Sequence, residues 1–466
     1  MDMIVLSMSA PKFSSAASPR RGERHRSSAP SPSFWLVLCW MAPRDAYAYT
    51  AGPSASIYEG DAPVNADKKE IVIHDRAYDI TAFSKRHPGG KIIGFQVGTD
   101  ATEAYKQFHI RSTKADKVLK SLPSRPVRKG YEPRRAQLLK DFAEFTKQLE
   151  AEGKFEPSPR HVVYRIAEVV AMHVAGAALI YNGWTLAGIV MLGVVQGRCG
   201  WLMHEGGHYS LTGNIAIDRA IQVAVYGLGC GMSGAWWRNQ HNKHHATPQK
   251  LKHDVDLDTL PLVAFHAKVA ARVKSPAMKA WLSLQAKLFA PVTTLLVTLG
   301  WQLYLHPRHM LRTKHYDELA MLSIRYSVLG AVAAHNGVAL TLAWYVLYVQ
   351  LGAMYIFCNF AVSHTHLAIV EQDEHATWIE YAANHTTNCS PSWWCDWWMS
   401  FLNYQIEHHL YPSMPQFRHP TIAPRIKALF EKHGLHYDVR GYFEAMADTF
   451  ANLDKVGNGH EHEKAH

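Results

Sequence analysis

Residues 184–208 read WTLAGIVMLGVVQGRCGWLMHEGGH. A run of Leu, Val, Ile, Ala and Gly ends at His204, and His208 follows four positions on. Some twenty apolar residues are what a helix rising about 1.5 Å per residue needs to cross a bilayer core. If the helix continues past the apolar run, His204 and His208 lie on one side of it, a turn apart. The stretch therefore predicts a membrane helix that delivers a pair of imidazoles at its end.

Working outward, residues 162–181 form a second apolar run, joined to the first by the turn Asn182-Gly183. Arg165, Glu168 and His173 interrupt it, and the charges near its start are expected to reach the headgroups. Residues 215–237 are apolar but broken by Asp218, Arg219 and several Gly, which suits an interfacial segment. Residues 289–305 and 338–360 supply a third and a fourth span, and the apolar stretch 320–334 between them reads as re-entrant.

Two further histidine clusters flank these spans: His241-Asn242-Lys243-His244-His245 and Gln405-Ile406-Glu407-His408-His409. His241 and His245 repeat the four-residue spacing, and Gln405, His408 and His409 stand at i, i+3 and i+4. Neighbours on a helix diverge by about 100°. Adjacent pairs such as His408 and His409 can therefore serve two different ions. An even number of crossings separates successive clusters, so all three fall on one face of the membrane, as a shared two-metal centre requires.

A lone pair of histidines at helical spacing is ordinarily structural. Three such sets, each beside a membrane span, are not. Imidazole-rich ligation suits iron, zinc or copper. His173, His253, His266, His306, His309 and His335 read as ordinary histidines, as do His460, His462 and His466 in a solvated tail. His364, in Ser363-His364-Thr365-His366 just after the fourth span, reads as an additional ligand.

Upstream lies His87-Pro88-Gly89-Gly90, with His109 twenty-two residues on. The glycines let backbone approach a flat cofactor. Two axial histidines leave haem iron no open position, so such a group carries electrons. Residues 70–73 and 77–80 read as short strands. Residues 100–108 read as a helix opened by Asp100, with Glu103 at capping-box spacing. Zinc has no redox chemistry, so an electron-delivering unit tips the histidine centre to iron.

The 466 residues allow two or three domains, and a mean hydropathy of −0.17 requires a large water-facing part beside a few spans. The net charge of +10 comes without any basic stretch interleaved with aromatics, so nucleic acid is not an expected partner. The 14 Trp and 21 Tyr suit membrane interfaces. The six cysteines form no CxxC and read as reduced, mostly buried thiols.

The resulting plan is multidomain. Residues 1–68 form a disordered or targeting segment, with an alternative start at Met41. Residues 69–130 form a small α+β haem domain. Residues 131–160 hold a linker and an amphipathic helix presenting Leu138, Phe142, Phe145 and Leu149. Residues 161–455 form an all-α membrane domain with about four transmembrane helices and a cytosolic helical cap. Residues 456–466 form a disordered tail.

These residues resemble a known family. The run from Tyr78 to Phe83, with His87-Pro88-Gly89-Gly90 and His109, looks like cytochrome b5. The remainder resembles membrane fatty acid desaturases with three histidine boxes. Gln405 opening the third box looks like the front-end acyl desaturases, which place a double bond between the carboxyl end and an existing one. The resemblance implies haem b on His87 and His109. It implies two non-haem irons on His204, His208, His241, His244, His245, His408 and His409, with Gln405 at or near the metal and His364 as an added ligand.

It further implies O2 as co-substrate and NADH-cytochrome b5 reductase as electron donor. The substrate would be a polyunsaturated acyl-CoA or acyl-phospholipid. The location would be the endoplasmic reticulum membrane, multi-pass, with the catalytic face cytosolic. Many relatives have Asp after the first histidine where this chain has Glu205, which could hold a box histidine from behind. The stretches 236–241, 253–258 and 412–417 look closest to algal and protist Δ5 desaturases, with Δ6 next. Asp254, Asp256 and Asp258 read either as carboxylates that orient histidines or as a solvated loop. A fatty acyl or sphingoid hydroxylase, and a non-enzymatic membrane haem electron carrier, remain the alternative readings.

Overall fold

A computed structural model describes residues 68–127, 135–372 and 374–459. The expected targeting segment, Cys39 and the histidines of the tail lie outside the described residues.

The strands expected near residue 70 form. β1 (Glu70–Ile73), β2 (Arg76–Asp79) and β3 (Ser124–Pro126) make an antiparallel sheet in that order, with Ile71 opposite Tyr78 and Ala77 opposite Arg125. Ile71, Ile73, Ile80 and Ala101 bury one face. Helix α1 (Thr102–His109) starts where Asp100 accepts the Thr102 N–H at 2.9 Å. Glu103 pairs with Lys106 at 3.0 Å instead of closing a capping box. α2 (Thr113–Ser121) follows.

α3 (Ala136–Ala151) is amphipathic as its spacing requires. Its buried Leu138, Phe142, Phe145 and Leu149 pack with Trp378, Ile406, Leu410 and Tyr411 of the C-terminal region, and Phe142 stacks on Tyr411 at 5.3 Å. Ala104 of α1 belongs to the same core and Phe108 packs against it, so the small domain is seated on the larger one.

α4 (Pro159–Tyr181) and α5 (Thr185–Gly207) form the expected hairpin, turning at Asn182 and Gly183. The last third of α5 is fully buried. α6 (Ile215–Ala224) is capped by Asn214, and α7 (Gly234–Ala246) is capped by Ser233, which accepts the Trp236 N–H at 3.1 Å. Among the described residues, four helices are long and apolar enough to cross a membrane: α4, α5, α8 (Gln285–Thr313) and, after α9 (Tyr316–Asn336), α10 (Val338–Ala361). α10 lies along α5 so closely that a Cβ at Gly197 would collide with the Tyr355 ring. Glycine at that position is what lets the two helices touch.

Two expectations change. Residues 320–334 are not re-entrant but part of the continuous helix α9, which turns at Gly337 (φ 86°) into α10. α8, by contrast, is tied to the histidine side at both ends. Phe289 packs with Ala361, Val263 and Leu453, and His306 Nδ1 accepts the Ser233 N–H at 2.7 Å. Apolar length alone singles out α8 and not α9 as a span, so where their ends are tied has to be read from the fold. Second, Arg165 and Glu168 do not reach toward headgroups. Arg165 is buried, bonds Glu168 at 3.2 Å and lies 3.7 Å from Glu205, while Glu168 takes Arg198 at 2.7 Å.

The C-terminal cap is helical: α11 (Trp378–Asn384), α12 (Trp393–Trp398), α13 (Gln405–Leu410), α14 (His419–Lys432) and α15 (Tyr442–Gly457). A short parallel pairing, Asn388–Cys389 with Val439–Arg440, ties its two halves together. Cys199, Cys230, Cys358, Cys389 and Cys395 are all free thiols.

Candidate metal centre and haem site

The end of α5, the last two turns of α7 and the single-turn-and-a-half helix α13 converge. His204, His208, His241, His245 and His408 offer ligand atoms that all lie within 4.8 Å of one another. His244, His364 and His409 form a second such group. The divergence of adjacent imidazoles does the sorting. His245 and His408 face the first group, while their neighbours His244 and His409 face the second. His364, delivered by the end of α10, has ring centroids 4.7 Å from His244 and 4.8 Å from His409.

The donor set fits a pair of transition-metal ions. Nε2 of His245 lies 3.0 Å from Nε2 of His241 and 3.1 Å from Nε2 of His408. Two nitrogens bound at about 2.1 Å to one ion at octahedral or tetrahedral angles stand about 3.0–3.4 Å apart. His208 Nε2 and His409 Nδ1 are buried without a hydrogen-bond partner. Buried polar atoms are rarely left so, and a ligand to them is one of the few explanations. Burial holds His241, His245, His408 and His409 well below the ordinary histidine range, in the neutral form that binds metal.

A second layer sets the rings. Asp254 Oδ2 lies 3.0 Å from His244 Nδ1, His385 O lies 2.9 Å from His364 Nδ1, and Gln416 Nε2 lies 3.0 Å from His204 Nδ1. An acceptor at Nδ1, as Asp254 Oδ2 and His385 O provide, holds the ring proton there and leaves Nε2 of His244 and His364 for an ion. Burial opposes a charge on His244, but the Asp254 carboxylate outweighs it and lifts His244 to about 9. Of the three aspartates, Asp254 is the one buried against a ring. Asp256 is largely exposed, 3.4 Å from His244, and Asp258 pairs with Arg272 at 2.9 Å.

Glu205 departs from the expected role. Its carboxylate takes His161 Nε2 at 2.8 Å and the Gln416 N–H at 3.4 Å, and touches no box histidine. The shorter side chain of Asp would not reach His161 in the same way. Gln405 is buried one turn before His408 and His409, on their side of α13. Sequence reasoning missed Gln416, His161 and the buried His419, whose ring centroid lies 5.9 Å from that of His408. Only the position of Gln416 and His419 within twelve residues of the third cluster could have drawn attention to them.

In the small domain, the His87 and His109 rings stand 6.3 Å apart, centroid to centroid, at 76°. Two metal–nitrogen bonds of about 2 Å and the ring radii together give about 6 Å. His109 Nδ1 is held by Tyr105 O at 2.8 Å, and His87 Nδ1 is buried without a partner. A Cβ at Gly89 would press on the His87 ring at 2.9 Å, and Gly90 has φ 70°. Both glycines are therefore required by the loop. The residues fit a bis-histidine haem.

Comparison with known proteins agrees with this geometry. Residues 181–441 match the fatty acid desaturase family, and residues 64–128 match the cytochrome b5-like haem/steroid binding domain. An acyl-lipid (8-3)-desaturase of Rebecca salina is 82% identical over 90% of this chain and 99% of its own length. An acyl-lipid (8-3)-desaturase of Thraustochytrium sp is 48% identical over 86% of this chain and 95% of its own length. Fatty acid desaturase 3 of Homo sapiens is 28% identical over 84% of this chain and 90% of its own length. Two family matches in tandem, and relatives that run nearly end to end with it, establish that the chain belongs to the fatty acid desaturase family, an oxidoreductase preceded here by its own cytochrome b5-like domain.

Proposed function

We propose that the chain is a front-end desaturase that places a cis double bond at the Δ5 position of a polyunsaturated acyl chain carried on a phospholipid. The observation that carries the reading is the sorting of eight histidines into two groups by α5, α7, α10 and α13. In this reading His204, His208, His241, His245 and His408 hold one non-haem iron, and His244, His364 and His409 hold the other, with Gln405 beside them. His87 and His109 hold haem b.

The iron pair, when bound, supplies activation of O2 strong enough to take hydrogen from two neighbouring methylenes. The protein's own residues do the rest. Asp254 and His385 O fix ring orientation and tautomer at two ligands, and the Gln416 amide packs against Nδ1 of a third, His204. Electrons would come from NADH-cytochrome b5 reductase through the small domain. The apolar helices support residence in a membrane, and in this reading it is the endoplasmic reticulum membrane, with the histidine centre facing the cytosol.

The Δ5 position and the phospholipid carrier draw support from the two relatives called acyl-lipid (8-3)-desaturases, a designation that fits a bond placed three carbons from one at carbon 8. Yeast expressing the chain and fed single polyunsaturated acids tests the reading. Acids with a first double bond at carbon 8 should gain one at carbon 5, found first in phospholipid. A hydroxylated product, a new bond at carbon 6, or no new acid with any feed would overturn it.

A further inference from the structure

The haem-bearing domain meets the histidine centre at an aromatic stack. Phe95 lies in the tight helical stretch Gly90–Gln96 that continues directly from His87-Pro88-Gly89. Its ring lies over His253, centroids 4.2 Å apart and planes within 8°. His253 adjoins Asp254, whose carboxylate holds His244 at 3.0 Å. The same stretch runs along α7. Gln96 Nε2 donates to Ala246 O at 3.4 Å, and a side chain at Gly90 would meet Asn239 Nδ2 at 3.7 Å. Parallel stacking at this separation is an offset arrangement of flat π faces with nothing between them.

Docking does not depend on this stack. Phe108 of α1 lies edge-on to Trp378 at 5.6 Å, and Arg111 donates to Phe155 O at 2.6 Å and to Ser413 O at 3.1 Å. These contacts hold the domain through residues outside the stack. His253 has no role in ligation, capping or core packing to account for its place beneath Phe95.

We propose that the Phe95–His253 stack is the contact through which single electrons pass from the haem domain to the histidine centre, by way of Asp254 and His244. The proposal rests on the functional reading above. Each passage oxidises haem iron from ferrous to ferric and reduces one non-haem iron from ferric to ferrous, and no covalent bond changes. Two passages per double bond, with two protons and two hydrogens from the acyl chain, reduce one O2 to two waters.

The test uses the full-length protein, reconstituted in phospholipid nanodiscs with haem and iron. Phe95→Leu and His253→Ala each remove one face of the stack, and His253→Phe keeps it. Haem is reduced under anaerobic conditions, and the decay of its ferrous absorbance is followed by stopped flow after mixing with oxygenated buffer and acyl-phospholipid. The haem spectrum, midpoint potential and iron content should match those of the unaltered protein in all three variants. Ferrous decay should slow by about tenfold or more in the two disrupting variants and recover in His253→Phe.

Decay at the unaltered rate in both disrupting variants would overturn the proposal, as would a slow rate in His253→Phe equal to that of His253→Ala. Should Phe95→Leu lose haem, the His253 pair decides alone, since that residue lies outside the haem domain. Failure of the functional reading looks different: the unaltered protein itself would then show no lipid-dependent ferrous decay.

Discussion

Asp254 Oδ2 stands 3.0 Å from His244 Nδ1, and the same carboxylate accepts the N–H groups of Gln249 at 2.7 Å and Asp256 at 2.9 Å. One buried acid thus organises a loop and aims a ring. Replacing such a group behind a metal ligand typically lowers metal affinity about 10- to 100-fold. Asp254→Ala is expected to release one iron per chain to a competing chelator while the other is retained. Asp254→Asn, which keeps an acceptor, should lose less. Iron counted by plasma emission against chelator concentration, with the haem band as an internal reference, checks this.

The two redox sites should come apart by mutation. His241→Ala and His409→Ala each remove an imidazole from a different group, so both are expected to abolish the product while the haem spectrum stays intact. His87→Ala should do the reverse, removing the haem band and leaving non-haem iron in place. A variant at His241 or His409 that still desaturates a fed acid in yeast would show that its imidazole is not needed at the centre.

Gly197 permits the contact between α5 and α10, because a Cβ there would overlap the Tyr355 ring. Tyr355 is itself fixed, its hydroxyl donating to Trp398 O at 2.5 Å and accepting Trp201 Nε1 at 3.2 Å. The ring cannot swing away without breaking both bonds. Gly197→Val is expected to destabilise the protein by about 1–3 kcal/mol, the usual cost of overpacking. A lowered thermal midpoint in detergent, with less loss in Gly197→Ala, is the measurement.

What the sequence made legible was whatever repeats at helical spacing. Four-residue intervals and adjacent pairs are enough by themselves to single out His204, His208, His241, His244, His245, His408 and His409, which the fold brings into two groups. The α+β haem domain was legible for a similar reason, since its strands and its His-Pro-Gly-Gly loop are local. Contacts across long separations were not. Gln416 meets His204 from 212 residues away, and only the folded chain assigns the aspartate at 254 to a ring and the one at 258 to Arg272. The roles of α8 and α9 were hidden because both carry long apolar stretches, and α8 alone of the two is apolar enough over its length to cross a membrane. What also separates them is where their ends are tied, at Ser233 and Ala361 for α8.

Asp218 gives a pH dependence whose sign can be worked out. The residue is fully buried in α6. One carboxylate oxygen accepts the Thr212 N–H at 2.9 Å and its hydroxyl at 2.6 Å, and the other has no partner. Burial raises the group, the Thr212 bonds pull the other way, and burial prevails at about 6 against an ordinary 3.8. A carboxyl raised in the folded state takes up a proton on folding. Its contribution to stability is therefore complete below about pH 4 and is lost as pH rises through 6. At about 1.4 kcal/mol per unit, the loss is on the order of 2–3 kcal/mol. Asp218→Asn keeps an acceptor for Thr212 and cannot ionise. The unaltered protein should therefore lose stability relative to this variant between about pH 4.5 and 7, where the variant's thermal midpoint in detergent equals or exceeds it. Parallel pH profiles for the two proteins would mean that the carboxyl is ionised throughout, and that a polar partner reaches its second oxygen.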